Sequence, residues 1–183
     1  MRQNISLLIV TCVLSALVSC AKNETMSTPS NSTNATAASS ASSTVPKVPL
    51  AEIVHANADK ISLKPGATVE AQVRLSIADG YHINANPPTF NYLKPTEIAV
   101  TPEAGITVGK PTYPAPITKK FAFEQQPLAV YEHQATIQLP LSAEHDAKGG
   151  AHTLHARIRV QACDEEKCYP PTSVETSIPV QIE

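Results

Sequence analysis

The feature that most constrains this chain is an alternation of apolar and polar residues over several stretches. Successive side chains of a β-strand point to opposite sides, so period-two alternation indicates strands that bury one face. The alternation runs over residues 69–77, 154–160 and 174–182, with shorter segments at 53–56, 96–100, 106–108, 128–131 and 136–141. No stretch keeps a helical period, so the sequence predicts an all-β protein.

Turn-forming residues separate these segments. Gly, Pro, Asn and Asp favour the backbone conformations of tight turns, and they cluster at 64–66, 79–80, 87–88, 102–105 and 146–150. Many short strands at this spacing favour an immunoglobulin-like antiparallel β-sandwich. We expect this domain to span residues 48–183.

The N-terminus predicts export. Its apolar stretch, residues 5–18, is shorter than the about 20 residues of a membrane-spanning helix and fits the h-region of a signal peptide. The end of this stretch leads into Leu-Val-Ser-Cys at residues 17–20, which resembles the lipobox of bacterial lipoproteins and places its cysteine at Cys20. We therefore expect a lipoprotein signal peptide over 1–19 and a lipid on Cys20. The alternative is an ordinary secretory signal with a chance cysteine.

Residues 20–47 contain the lipidated cysteine and a run of Ser, Thr, Asn and Ala. Such a segment has too little apolar surface to offset its ordering entropy, so we expect a disordered linker. The expected location is a lipid anchor facing the periplasm of a Gram-negative bacterium. Ala21 slightly favours the outer membrane, by analogy with enterobacterial lipoproteins.

Of the four cysteines, we expect two to be unavailable for disulfides in the mature protein. Cys12 leaves with the signal peptide and Cys20 is consumed by lipid. Cys163 and Cys168 remain in a compartment where disulfides persist. They pair either with each other or with another protein.

The two remaining cysteines flank a polar loop, residues 164–167, in an expected β-hairpin. The strand ending at 159–162 runs into Cys163, and Pro170-Pro171 follows Cys168. A disulfide closing so short a loop contributes only about 2 kcal/mol in the chain-entropy model. The prolines remove backbone donors and leave an open strand edge. Both points favour a reactive pair over a structural one.

Charges near the sulfurs indicate a reducing pair. Asp164, Glu165 and Glu166 disfavour a thiolate by repulsion, whereas Lys167 favours one at Cys168. Because a low thiol pKa makes a strong oxidant, the acidic run predicts the opposite behaviour.

Three sequence segments carry a family resemblance. Val-Gln-Ala-Cys ending at Cys163 and Cys-Tyr-Pro-Pro beginning at Cys168 resemble the active hairpin of the N-terminal periplasmic domain of the thiol:disulfide interchange protein DsbD, in the disulfide bond corrector family. Residues 79–84 and 93–97 resemble other parts of that domain. The similarity spans roughly residues 50–183, here as a stand-alone lipoprotein.

The resemblance implies an immunoglobulin-like fold and thiol-disulfide oxidoreductase activity of the protein-disulfide reductase type, with no cofactor. Cys163 and Cys168 would be the exchanging pair, with Cys168 forming the mixed disulfide. Electrons would come from a membrane-embedded donor and pass to thioredoxin-fold periplasmic proteins. The chain contains neither the transmembrane nor the thioredoxin-like domain of full-length DsbD, so we expect the donor to be a separate protein.

The family also shields its cysteines with an aromatic cap loop. The matching segment is residues 119–124, where we prefer Phe123 to Phe121 as the cap. Tyr81 and Tyr169 are expected to line the site. For all four rings the alternative is ordinary core packing.

Other functions receive less support. One alternative is a lipid-anchored binding or scaffold module whose disulfide only closes a hairpin. Six histidines could suggest a metal carrier, but His152 and His155 fall on opposite faces of a strand and no ligand spacing is recognisable, so no metal site is expected. A formal net charge of −2 and the absence of a basic patch argue against nucleic-acid binding. No nucleophile motif indicates hydrolysis.

Overall fold

The computed structural model describes residues 49–183. The signal peptide predicted over 1–19, the lipidation site predicted at Cys20 and the linker predicted to residue 47 lie outside the described residues. In this part of the chain, no helix has the length and apolar character needed to cross a membrane.

The described residues form one helical turn and twelve strands. In chain order these are α1 (Leu50–Ile53), β1 (Val54–Ala58), β2 (Ile61–Leu63), β3 (Thr68–Ile77), β4 (His82–Asn84), β5 (Glu97–Val100), β6 (Ile106–Val108), β7 (Ile117–Lys119), β8 (Leu128–Tyr131), β9 (Gln134–Ala143), β10 (Gly150–Val160), β11 (Ala162–Cys163) and β12 (Thr172–Ile182).

The strands are arranged in three four-stranded sheets. Their orders are β1-β3-β9-β6, β2-β12-β10-β5 and β11-β4-β8-β7. All pairs are antiparallel except that β2 runs parallel to β12 at one edge of the second sheet. The predicted all-β, immunoglobulin-like sandwich is confirmed, with this one parallel pair as a departure.

The long strands bury alternate side chains as their sequence pattern predicts. In β3 the inward residues are Ala71, Val73, Leu75 and Ile77, all nearly inaccessible. Strands β9, β10 and β12 contribute their own apolar faces to the same core cluster. Burial of these faces is the main force that holds the sheets together.

A long hairpin positions the two cysteines. Strands β10 and β12 pair from Gly150 opposite Ile182 to Val160 opposite Thr172, so residues 161–171 form its tip. At the tip the chain leaves the second sheet, because β11 pairs with β4 of the third sheet. The cysteine loop therefore lies where two sheets meet.

The strand expected to end at 159–162 and to run into Cys163 is interrupted in the structure. Strand β10 ends at Val160, and Gln161 separates it from β11. The side chain of Gln161 accepts hydrogen bonds from Asn84 Nδ2 and from the backbone N–H of Lys94. These bonds hold Gln161 against β4 and direct the chain into the third sheet.

A second, smaller core supports the third sheet. Leu93, Phe121, Leu128 and Val130 form this cluster, with Phe90 packed against it. Strand β4 between the two cores is buried along its whole length, including His82 and Asn84. The third sheet is thus covered on both faces next to the cysteines.

Candidate functional site

Cys163 and Cys168 form a disulfide with an S–S distance of 1.96 Å and a Cα–Cα distance of 3.9 Å. The two residues face each other as an antiparallel bridge. Cys163 is fully buried, with 0% of its surface exposed, whereas Cys168 is half-buried. The bond therefore has one inaccessible end and one end that solvent and protein partners can reach.

A single carboxylate organises the loop between the cysteines. Asp164 Oδ1 accepts hydrogen bonds from the backbone N–H groups of Glu166 and Lys167, each at 2.8 Å. Asp164 Oδ2 accepts one from the Tyr169 hydroxyl at 2.6 Å. The Asp164 N–H also donates to the Lys167 carbonyl at 2.9 Å. These bonds fix the polar loop as a tight turn, as the Asp side chain favours.

The same contacts set the protonation of Asp164 and Tyr169. Burial raises the pKa of Asp164, but the hydrogen bonds from Tyr169, Glu166 and Lys167 outweigh it and leave the pKa below its usual value. The bond to Asp164 is the largest cause that raises the pKa of Tyr169. Asp164 is thus a carboxylate and Tyr169 a neutral phenol at physiological pH.

The base of the loop is held by Gln161 and Tyr169. Gln161 Nε2 donates to the Tyr169 carbonyl at 3.2 Å, and the Tyr169 N–H donates to the Ala162 carbonyl at 2.8 Å. Residues on both sides of the disulfide are therefore anchored to β11. Cys168 itself lies between two hydrogen-bonded residues, Lys167 and Tyr169.

A histidine lies directly opposite the buried cysteine. His82 of β4 is the register partner of Cys163 in β11, and its exposed fraction is 0%. Its ring stacks on Phe121 with 4.0 Å between centroids. Neither ring nitrogen has a hydrogen-bond partner among the described residues. His82 was not predicted as a site residue, although it lies in the segment 79–84 that carries part of the family resemblance.

Burial determines the charge of His82. Its pKa is lowered from 6.5 to about 4, mainly by desolvation and secondarily by the positive charge of Lys119. Glu132, Glu165 and Asp164 oppose the shift. The ring is therefore neutral at physiological pH, with one nitrogen able to accept a proton.

Lys119 connects the cysteine loop to the third sheet. Its Nζ lies 2.6 Å from Glu132 Oε1 and 2.7 Å from Glu165 Oε1, and 5.3 Å from the centroid of Phe121. Hydrogen bonds to both carboxylates raise the pKa of Lys119. One of the acidic residues expected to repel a thiolate, Glu165, is thus paired with a cation.

The predicted aromatic residues occupy different layers. Phe121 is buried and packs on His82, while Phe123 stacks on the outer side of Phe121 at 5.3 Å and is 38% exposed. Both follow the edge strand β7. Tyr169 directly follows Cys168, and its ring lies next to that of Tyr81, with 6.3 Å between centroids. The structure thus brings all four rings to the cysteine end of the domain.

The remaining histidines are not gathered at this site. Within residues 49–183 no group of three or more His, Cys, Asp or Glu side chains is placed to bind a metal. His55, His133, His145 and His155 are exposed on separate elements, and His152 is half-buried.

Fold and site together define a class of protein. A β-sandwich that presents one end of a buried disulfide, at the tip of a hairpin, is an immunoglobulin-like domain with a partly accessible cysteine pair. Residues 51–179 match the family described as "Thiol:disulfide interchange protein DsbD, N-terminal". The chain belongs to this family, and the domain is accordingly a thiol:disulfide interchange domain.

Solved structures give fold-level similarity. The DsbD N-terminal domain of Neisseria meningitidis, described in complex with the PilB N-terminal domain, is 21% identical with a TM-score of 0.45, covering 72% of this chain and 87% of that one. The N-terminal periplasmic domain of ScsB from Proteus mirabilis is 16% identical with a TM-score of 0.47, and the match covers 68% of this chain but only 44% of that one. Among curated proteins, none matches the chain.

Proposed function

We propose that this domain relays electrons between a membrane-embedded reductase and thioredoxin-fold or other exported proteins, by thiol-disulfide exchange at Cys163 and Cys168. The observation that carries the proposal is the unequal burial of the two cysteines, 0% exposure for Cys163 and partial exposure for Cys168. A partner sulfur has access to one end of the disulfide only. The family membership supports the chemistry.

The reaction has two steps in each direction. A donor thiolate attacks Cys168, the disulfide opens, and Cys163 leaves as the free thiol. A second donor thiol then resolves the mixed disulfide, so the domain gains two electrons and two protons. In the delivering direction the Cys168 thiolate attacks a partner disulfide, and Cys163 resolves the mixed disulfide by re-forming its bond to Cys168.

The aromatic layers at the site support a shielding role. Phe123 is the outer, exposed ring and rests on Phe121, which rests on His82. In the proposed function Phe123 is the movable cap and Phe121 its base, with Tyr81 and Tyr169 forming the opposite wall. A partner that displaces Phe123 gains access to Cys168 without disturbing the buried core.

We further propose that the domain is exported, that Cys20 carries a lipid and that residues 20–47 tether the domain to a membrane facing the periplasm, with the outer membrane slightly favoured. The support is the sequence of the N-terminus. Mass spectrometry of the purified protein would detect the acyl chains, and Cys20→Ala should release the protein from membranes. Membrane retention of that variant would overturn the anchor.

Matched cysteine variants test the relay. The protein carrying Cys163→Ser should form a stable mixed disulfide with a thioredoxin-fold partner, because Cys168 remains accessible and its resolving thiol, Cys163, is absent. Cys168→Ser should form little, because Cys163 is buried. Equal trapping by both variants, or trapping by Cys163 alone, would overturn the assignment.

The reduction potential separates the relay from a structural disulfide. Equilibration of the protein with glutathione and quantification of free thiols should give a potential within about −200 to −270 mV, the range of glutaredoxins and thioredoxin. A potential below about −300 mV with no exchange is typical of structural disulfides. That result would favour the binding or scaffold module instead.

A further inference from the structure

We propose that His82 is the catalytic base that deprotonates Cys163 when the domain hands electrons to a partner disulfide. The inference rests on the proposed function and assigns a role to a residue on β4, outside the cysteine loop. It is carried by three features of the structure: the position of the imidazole, its burial and its free ring nitrogens.

The position follows from strand register. Cys163 and His82 are paired residues of the antiparallel strands β11 and β4. Side chains of such a pair point to the same face, with Cβ atoms about 4.5–5.5 Å apart. Both residues have 0% exposure, so the two side chains are neighbours in a part of the structure that water does not reach.

The free nitrogens fit a role in only one redox state. A buried polar atom is normally hydrogen-bonded, yet neither Nδ1 nor Nε2 of His82 has a partner among the described residues. A disulfide sulfur has no hydrogen to donate. The thiol of reduced Cys163 does, and it is generated at the position opposite His82.

The surroundings keep the base in its neutral form. Lys119 of β7 lies on the Phe121 side of the ring and disfavours the imidazolium, while Glu132 after β8 and Asp164 and Glu165 of the cysteine loop favour it. Burial dominates and holds the pKa of His82 at about 4. The imidazolium formed during the reaction is therefore transient and returns its proton once the disulfide has formed.

The starting species is the mixed disulfide of Cys168 with the partner. One ring nitrogen of His82 takes the proton from the Cys163 thiol, and the resulting sulfur attacks Cys168 Sγ. The bond between Cys163 and Cys168 forms, and the bond to the partner breaks. The partner leaves as a thiolate with the electron pair, so the dithiol is oxidised and the partner disulfide reduced.

An aryl disulfide, dithiobis(nitrobenzoate), resolves the two steps. The full chain carrying Cys12→Ser and Cys20→Ser, which leaves Cys163 and Cys168 as its two thiols, is reduced and mixed with excess reagent, and the coloured thiolate is followed by stopped-flow absorbance. The first equivalent reports attack by Cys168 and depends on reagent concentration. The second equivalent reports attack by Cys163 and does not, because it is unimolecular.

His82→Phe keeps the aromatic contact with Phe121, and His82→Gln keeps a polar group without a basic nitrogen. We expect both variants to release the first equivalent normally and the second about 100-fold more slowly near pH 6, in line with typical general-base contributions. His155→Gln, at an exposed histidine of β10, is the matched control and should leave both steps unchanged.

The pH profile distinguishes a base from a packing residue. With His82 as base, the second step of the wild-type protein should vary by less than about threefold between roughly pH 5.5 and 7.5, because the reacting pair is a thiol and a neutral imidazole. Without His82 as base, only the Cys163 thiolate reacts, and the rate of the second step should fall about tenfold for each unit by which the pH decreases.

The outcomes separate the two proposals. A wild-type second step that falls tenfold per pH unit, or variants with unchanged second steps, would overturn the role of His82 while leaving the relay intact. If no first equivalent appears in the wild-type protein, the relay itself fails. The wild-type profile remains decisive even if one variant does not fold.

Discussion

Replacing Phe121 by Ala tests whether the inner aromatic ring supports the stability of the fold, while the outer ring controls access to the disulfide. Phe121 is 2% exposed and packs with Leu93, Leu128 and Val130 in the smaller core. Truncating a buried Phe to Ala removes its transfer free energy and leaves a cavity, a loss of about 3–5 kcal/mol. We therefore expect the free energy of unfolding to fall by an amount in this range.

Phe123→Ala is the matched control, two residues away. Phe123 is 38% exposed, so its removal leaves no enclosed cavity and forfeits only part of the transfer free energy of a Phe side chain. We expect a loss of about 1 kcal/mol. In the proposed function Phe123 is the cap that shields the disulfide, so Phe123→Ala should instead increase the rate at which a small thiol reduces the disulfide.

Urea denaturation of the oxidised protein measures both losses, and thiol quantification measures the reduction rates. In Phe121→Ala, water that reaches the imidazole should also raise the pKa of His82 from about 4 toward 6.5, which NMR titration would detect. Equal destabilisation by the two variants would refute the assignment of Phe121 as the inner, supporting ring. An unchanged reduction rate in Phe123→Ala would refute the cap.

Three further variants follow from the charges of the site. The pKa of His82 is lower in the folded state, about 4, than its unfolded value of 6.5, so the free energy of unfolding should fall by about 3 kcal/mol as the pH drops from 6.5 to 4, at about 1.4 kcal/mol per pKa unit. His82→Phe should flatten this pH dependence in acid denaturation curves. An unchanged slope would assign the pH dependence to other groups. Lys119→Met should raise the pKa of His82, measured by NMR, because the ammonium disfavours the imidazolium. It should also lower stability by about 1 kcal/mol through loss of the ion pairs with Glu132 and Glu165. Tyr169→Phe should destabilise the protein by about 1 kcal/mol at pH 7 but hardly at all near about pH 2, since a carboxylate with a lowered folded pKa stabilises only while ionised; a loss of equal size at both pH values would exclude the bond to Asp164 as the cause.

The sequence predicts the strands that are long enough to show a period. Strands β3, β10 and β12 each alternate over ten or eleven residues, and their predicted positions agree with the structure. Strands β2, β4, β7 and β11 have two or three residues and were not predicted as separate strands, whereas β6, also of three residues, matches the segment predicted at 106–108. Over so few residues alternation is a weak signal. The existence of such short strands depends on pairing with neighbours that are distant in sequence.

The chemistry of the site is less visible in the sequence than its cysteines. Cys163 and Cys168 stand out because the predicted signal peptide and lipidation site account for Cys12 and Cys20. His82 does not, because a histidine between Tyr81 and Ile83 gives no sign that its strand is covered on both faces. Phe121 and Phe123 look alike in sequence, and only the fold shows that one ring is buried and the other exposed.

The shortness of the cysteine loop has a consequence for the energetics of electron transfer. Reduction of a disulfide removes the stability that the disulfide adds to the fold. For cysteines with a sequence separation of 5 this contribution is only about 2 kcal/mol. At about 1.4 kcal/mol per 30 mV, this coupling shifts the potential of the pair by roughly 45 mV. The sandwich therefore retains most of its stability in either redox state, so the disulfide can be reduced and re-formed repeatedly without unfolding of the domain.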